Sequence, residues 1–189
     1  VGTPDGYKNI KVDINLLPKN KKFRQFNFII KQFKFYEIVT KLKDFDVVQI
    51  INPFIFINRF KYISSRYNEY LLSKLVGNNK NIYLSSCGND AFYVQIGKNL
   101  LEYNAVDNLP EFRNKNYKKT PKALQWNIDL VNRCKAVIPI GYEYWIGYNY
   151  YFGNNQKILN QIPPMIDTTT ISYEDLQKSK QITFFHGIN

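Results

Sequence analysis

Short apolar runs alternate with longer segments of helical period along most of this chain, and this alternation constrains the fold more than any other feature. It is typical of a parallel α/β sheet, whose strands are joined by crossover helices and are buried on both faces. The run "DFDVVQIINP" is predicted to be such a strand, covered on both sides. The predicted strands are centred on Val47, Ile82, Val137, Ile158 and Phe184.

The segment before the first strand and several segments between the strands have the apolar period of helices, over residues 26–42, 66–76, 121–133 and 142–151. We therefore predict a doubly wound, Rossmann-like and mostly parallel sheet with helices on both faces. The first helix carries one apolar face, from which Lys31, Lys34 and Lys41 are absent. That face is formed by Phe26, Ile29, Ile30, Phe33 and Tyr36.

The composition, with 44% hydrophobic and 22% charged residues in 189, is that of a soluble globular domain. No stretch has the roughly 18 uninterrupted apolar residues of a membrane span, and no signal pattern opens the chain, so we expect a cytosolic location. Cys87, Cys134 and the single His186 lack the spacing of a zinc or Cys-His site. We predict reduced, unpaired thiols, and neither a metal nor a cofactor.

The formal net charge of +11 indicates an anionic partner, which includes nucleic acid, an anionic bilayer and phosphorylated small molecules. Six basic residues and no acid lie between Asp13 and Glu37. A solvated surface of lysines explains this stretch equally well. The chain contains no zinc-finger, RNP or KH motif, so nucleic acid is not the expected partner.

Ligands of open α/β sheets bind beyond the carboxyl ends of the strands. Four segments follow such ends in the predicted topology: Gln49–Asn52, Ser85–Asp90, Ile140–Tyr144 and Gly187. These segments are the candidate site of chemistry.

Three of them, in this order, resemble the N-terminal, acceptor-side half of GT-B glycosyltransferases, namely the retaining, nucleotide-sugar-dependent enzymes of bacterial polysaccharide synthesis. The first motif is "LKDFDVVQIINP", similar to an Asp-x-Val strand that faces the acceptor cleft. The second, "NIYLSSCGND", is similar to a strand that ends in a Gly-x-Asp turn. The third is "KAVIPIGYEY" with "KILNQIPPMIDTTTI", which resembles the family's last strand and helix and its interdomain linker.

The resemblance implies transfer of a sugar from a nucleotide-diphosphate donor to a glycan or lipid-linked acceptor. Residues 1–179 would be a partial acceptor-side domain that lacks its first strand-helix unit, with the linker at about 160–179. Residues 180–189 would be the first strand of a C-terminal donor-binding domain, which normally carries the donor carboxylates. This fragment alone is therefore expected to be inactive. The implied location is cytoplasmic, and peripheral at the inner face of the cell membrane.

Two other functions stay open on the sequence. Nucleotide-sugar epimerases share the two-domain fold, so fold alone does not exclude them. A non-enzymatic module that binds anions or nucleic acid would explain the charge.

Asp90 is the catalytic residue that the resemblance implies, because a carboxylate on the acceptor side can orient the attacking hydroxyl or stabilise positive charge on the sugar. The alternative is that Asp90 caps the helix that begins near Ala91. In the catalytic role its carboxylate is expected to project from the carboxyl edge of the sheet into the acceptor cleft, near the strand end Gln49–Asn52. Both roles are compatible.

The remaining site residues are also implied by the resemblance. The acceptor would contact Gln49, Asn52, Gly88, Asn89, Glu143 and Tyr144, and the donor phosphates would contact His186 and Gly187. Each has a simpler interpretation: loop structure for the amides, turn geometry for Gly88, helix-dipole complementarity for Glu143, and a structural role for His186. Trp126, Trp145 and the neighbouring tyrosines are interpreted as core rather than as a sugar-stacking platform.

Overall fold

The computed structural model describes residues 27–56, 61–104, 106–108, 117–153 and 155–162. Within them, three strands form a parallel sheet in the order β1-β2-β3, with bounds Val48–Ile51, Ile82–Ser86 and Ala136–Pro139. The helices that flank the sheet are α1 (Asn27–Lys41), α2 (Lys61–Gly77), α3 (Pro121–Arg133) and α4 (Tyr142–Phe152). The predicted α/β, Rossmann-like fold is confirmed. The predicted strand at Phe184 lies outside the described residues.

The register of the sheet builds the hydrophobic core. Ile50 pairs with Leu84, and Leu84 with Val137, so these three side chains share one face. They are buried together with side chains of the three helices that precede or follow them in the chain, Phe35 of α1, Leu71 of α2 and Leu130 of α3. Fully burying one such side chain stabilises the fold by about 1.5–3 kcal/mol.

The opposite face of β1 departs from the prediction of a strand covered on both sides. Val47 and Ile51 are 59% and 58% exposed, and Gln49 between them is also exposed. In the described part of the sheet β1 is an edge strand, so only one neighbour and one layer of helices cover it. The expectation of burial on both faces was wrong for β1.

The buried face of α1 also differs from the predicted one. The structure buries Phe35, Ile38 and Val39 against the core, whereas Phe33 and Tyr36 of the predicted apolar face are exposed. The helix is apolar on two sides, so periodicity alone does not indicate which side meets the sheet.

Local sequence explains where α3 begins. Thr120 is the N-cap, its Oγ1 accepts a hydrogen bond from the Ala123 N–H at 3.2 Å, and Pro121 occupies the first turn. Trp126 of this helix is buried and donates its Nε1–H to the Pro53 carbonyl at 3.2 Å, as expected for a core tryptophan.

The predicted strand near Ile158 is present only as two parallel bridges beside β3, Val137 with Ile158 and Ile140 with Ile162. Both cysteines are free thiols, and Cys134 is buried. Burial raises the pKa of the Cys134 thiol to about 11, which keeps it protonated and unreactive at neutral pH.

A close glycine contact positions α4. The chain after β2 forms a π-helix, Tyr93–Gly97, which continues into one α-helical turn, Lys98–Leu100. A Cβ on Gly147 of α4 would lie 3.1 Å from the Phe92 carbonyl oxygen and 3.2 Å from the Gly97 nitrogen, both backbone atoms. The absence of a side chain at Gly147 therefore allows the two helical segments to touch.

Candidate functional site

All three described strands end at the same edge of the sheet, and after each one the backbone turns through a positive φ. Asn52 follows β1 with φ of 92°, Gly88 follows β2 with 66°, and Gly141 follows β3 with 97°. Backbone hydrogen bonds hold these ends together, because Asn52 N donates to Ser85 O at 3.2 Å and Ile140 N donates to Ser86 O at 3.0 Å. The predicted site segments therefore converge at the carboxyl edge.

The Asn52 side chain joins the ends of β1 and β2. Its Nδ2 donates to the Cys87 carbonyl at 2.9 Å, and its Oδ1 accepts from the Phe54 N–H at 2.9 Å. This local bonding fits the positive φ, which Asn tolerates better than most residues. A Cβ on Gly88 would lie 3.6 Å from Asn52 Nδ2, so the two residues are in contact range.

Tyr144 joins the end of β2 to the start of α4. Its hydroxyl forms a hydrogen bond with the Gly88 backbone, and burial raises the pKa of the phenol. The Tyr93 ring packs against the Tyr144 ring with centroids 5.3 Å apart. Tyr144 of α4 thus holds the Gly88 turn through this hydrogen bond.

Glu143 lies at the N-terminus of α4, where its charge complements the helix dipole. Its carboxylate folds over Gly141, since a Cβ there would be 2.7 Å from Oε2. Glycine at 141 therefore both permits the positive φ and leaves room for this carboxylate. We call Asn52, Gly88, Glu143 and Tyr144 the edge cluster.

Two further predicted residues lie next to the edge cluster in the chain. Gln49 is exposed, and its Nε2 donates to Ser85 Oγ at 2.6 Å, across the β1-β2 pair. Asn89 is partly exposed and directly follows Gly88. His186 and Gly187 lie outside the described residues.

Asp90 is completely buried, with none of its surface exposed. Its Oδ1 accepts from the Tyr93 N–H at 2.8 Å, as a helix cap does. Its Oδ2 accepts from Ser86 Oγ at 2.9 Å and from the Tyr148 hydroxyl at 2.7 Å. The capping role is therefore observed, and the expectation that the carboxylate projects into an open cleft was wrong. A role in catalysis stays a prediction.

Two effects act in opposite directions on the pKa of the buried Asp90 carboxyl. Desolvation raises the pKa of the carboxyl, while hydrogen bonds from Tyr93, Tyr148 and Ser86 partly offset this rise by stabilising the charged form. The pKa of Tyr148 is also raised by burial, so its proton stays on the phenol oxygen.

The network around Asp90 includes three further buried residues, Ser86, Asn127 and Tyr148, none of which was predicted as an individual site residue. Asn127 Nδ2 donates to the Tyr148 oxygen at 2.9 Å, and Asn127 Oδ1 accepts from the Ala91 N–H at 3.3 Å. Only Ser86 carried a local signal, four residues before Asp90 at the end of a strand. Tyr148 and Asn127 come from α4 and α3, at distances along the chain that no motif spans.

The described residues contain no group of three or more His, Cys, Asp and Glu side chains placed to hold a metal ion. None of the helices in the described ranges is long and apolar enough to cross a bilayer. No protein-family model matches the chain, and comparisons with curated proteins and with solved structures returned no match.

Proposed function

We propose that this chain is the acceptor-side domain of a glycosyltransferase that moves a sugar from a nucleotide-diphosphate donor to a glycan or lipid-linked acceptor. The proposal includes a cytoplasmic location at the inner face of the cell membrane, where a lipid-linked acceptor would present its sugar. The observation that carries it is the convergence of three polar strand ends in the edge cluster.

The chemistry of the edge cluster suits a saccharide. Sugar hydroxyls both donate and accept hydrogen bonds, and carboxylate, amide and phenol groups supply both partners. The Glu143 carboxylate accepts, and the partly exposed Asn89 amide offers both functions. Open α/β sheets bind their ligands at this edge.

An aromatic pair beside the edge cluster adds an apolar surface of the kind that packs against a sugar ring. Tyr142 and Trp145 lie in the first turns of α4 with ring centroids 5.7 Å apart, and Tyr142 is 49% exposed. Trp126 is buried as predicted, whereas Trp145 is partly exposed, which differs from its interpretation as a core residue. Trp145 is thus accessible to a ligand at this edge.

Asp90 would serve the transfer through the loop that it holds. Its bonds to Ser86, Tyr93 and Tyr148 fix the turn that presents Gly88 and Asn89. In its described conformation Asp90 is thus a positioning residue, and direct contact with an acceptor would require this turn to open.

Binding is tested on the isotope-labelled chain by following amide chemical shifts during titration with a panel of oligosaccharides. We expect shifts at Gly88, Asn89 and Tyr144, and weaker binding for Glu143→Gln. The matched control is Glu102→Gln, which removes an exposed carboxylate outside the edge cluster. Shifts scattered over the surface, or equal effects of both variants, would remove the support for a saccharide site.

Turnover is tested by transfer of labelled sugar from nucleotide-diphosphate donors, with the chain joined to the donor-binding domain that this proposal requires. Asp90→Asn keeps the size of the side chain, so a loss of about a hundredfold in kcat would indicate that the charge acts in the transition state. A rise in acceptor KM with near-normal kcat would indicate positioning alone. Conversion of the donor sugar without any acceptor would instead identify an epimerase.

A further inference from the structure

The outer surface of α1 and α2 exposes an unusual set of aromatic side chains. Phe33 is 71% exposed, Tyr70 50% and Tyr36 40%. We call these three residues the aromatic face. Phe33 and Tyr36 are three residues apart and therefore neighbours on the surface of α1. The core does not use this face, because Phe35, Ile38 and Val39 fill that role on the other side of α1.

The tyrosine rings of the aromatic face each have another ring or a cation as a neighbour. Tyr36 and Tyr70 are nearly parallel, with centroids 6.5 Å apart and an interplanar angle of 5°, and Tyr67 stacks on Tyr70 at 6.3 Å. Lys74 Nζ lies 4.6 Å from the Tyr36 centroid. A base that stacked on Tyr36 or Tyr70 would compete with these neighbours, which disfavours a single nucleic-acid strand on the tyrosines.

The charges around the aromatic face are predominantly positive. Arg66 is exposed one turn before Tyr70, and Lys34, which is partly exposed, follows Phe33 in α1. Lys74 adds a third cation at the Tyr36 ring. The acidic side chain on the exposed side of α1, Glu37, forms an ion pair with Lys41 and so adds little negative potential.

We infer that the aromatic face binds peripherally to a membrane surface of anionic lipid. Phe33 enters the region below the headgroups, the amphipathic tyrosines lie at headgroup level, and Lys34, Arg66 and Lys74 contact the lipid phosphates. Charge complementarity selects an anionic bilayer over a neutral one. The inference deepens the proposed function, on whose membrane location it rests, by naming the surface and the lipid.

The test is sedimentation of the chain with vesicles that contain phosphatidylglycerol and with vesicles of phosphatidylcholine alone. We expect preferential binding to the anionic vesicles, lost at high salt. Phe33→Ser should weaken binding about tenfold or more, because it removes the apolar side chain that enters the bilayer. The double substitution Lys34→Gln with Arg66→Gln should weaken it about twentyfold and reduce the preference for anionic lipid, which Lys74 alone would then support.

Matched controls distinguish vesicle binding by the aromatic face from vesicle binding by any exposed aromatic residue or cation. Tyr103→Ser removes an 84% exposed aromatic residue from another part of the chain, and Lys80→Gln removes an exposed cation. Both should bind vesicles like the unmodified chain. Equal losses in controls and test variants, or no vesicle binding by the unmodified chain, would overturn the inference.

Two further measurements distinguish lipid binding from nucleic-acid binding and from saccharide binding. Anisotropy with a labelled oligothymidylate tests the nucleic-acid alternative, and tight binding that Phe33→Ser abolishes would overturn the lipid assignment. Saccharide titration of the same variants should give unchanged shifts at the edge cluster. Loss of vesicle binding alone leaves the proposed saccharide site intact, whereas missing saccharide shifts with intact vesicle binding would count against the proposed function only.

Discussion

The turn after β2 buries a carboxylate, whereas the outer surface of α1 and α2 exposes aromatic rings. Each region reverses the usual distribution of polar and apolar side chains between interior and surface. At Asp90 the reversal is compensated, because three donors satisfy the carboxylate. At the aromatic face no described element covers Phe33. A buried polar group whose hydrogen bonds are all made indicates a structural role, while an exposed apolar surface indicates a binding partner.

The largest expected effect separates two phenylalanines of the same helix. Phe35→Ala should lower the free energy of unfolding by about 3–5 kcal/mol, because Phe35 is buried and packs on Phe56 with centroids 5.0 Å apart. Phe33→Ala should change it by less than about 0.5 kcal/mol, because that ring is exposed. Urea denaturation of both variants measures the difference, and similar losses would mean that Phe33 is covered in solution.

Truncation of the buried carboxylate should be the next most costly change. Asp90→Ala leaves Ser86, Tyr148 and the Tyr93 N–H without their acceptor, which we expect to cost about 3 kcal/mol. Asp90→Asn should cost less, because one amide oxygen remains and the two hydroxyls can rotate. Chemical denaturation gives both values. A stable Asp90→Ala variant would show that the network is not needed to hold the turn.

The close contact between α4 and the π-helical segment predicts that Gly147→Ala lowers the free energy of unfolding by about 2 kcal/mol. The new Cβ would meet backbone atoms of Phe92 and Gly97, which cannot move aside as a flexible side chain does. Gly77→Ala is the matched control, since a Cβ there meets nothing within 4 Å. Thermal melting should place the control near the unmodified chain, and equal melting of the two variants would contradict the close contact.

The smallest expected effect is a dependence of stability on pH. The raised pKa of Asp90 means that the folded state holds this proton more tightly than the unfolded state does. Its contribution is therefore fully present below the ordinary pKa and declines as pH rises through the raised value, by at most about 1.4 kcal/mol per pH unit.

Exposed ion pairs change the pH dependence of stability in the opposite direction. Hydrogen bonds from Lys41 and Lys98 lower the pKa values of Glu37 and Asp107, so their stabilisation is lost as pH falls. The free energy of unfolding is measured as a function of pH for the unmodified chain and for Asp90→Asn. Both chains share these ion pairs, so the difference between the two curves isolates the contribution of Asp90. A difference between the two chains that is independent of pH would show that Asp90 does not titrate differently on folding.

Local chemistry made several elements readable from the sequence. Pro121 marked the start of α3, and the end of this helix at Arg133 was also predicted. The runs around Val47, Ile82 and Val137 predicted three parallel strands, and the turn at Gly88 after the second of them was also predicted. Such features are readable because propensity, capping and turn geometry depend on neighbouring residues.

Other features depend on contacts between distant parts of the chain. Asp90 looked equally suited to a cap and to an open cleft, and only the packing of Tyr148, 58 residues further on, covers it. The first helix offered two apolar sides, and the core took the side of Phe35. Likewise, the position of β1 at the edge of the described sheet exposed Val47 and Ile51.

By itself, the sequence determined the α/β class, the strand ends at the carboxyl edge and the glycine turn that follows β2. The tertiary structure alone decided which polar group is buried and which aromatic rings remain outside. The physical reason is that helix and strand periods depend on local backbone geometry, whereas burial depends on which surfaces meet. A sequence pattern marks surfaces that can be buried, and packing selects among them.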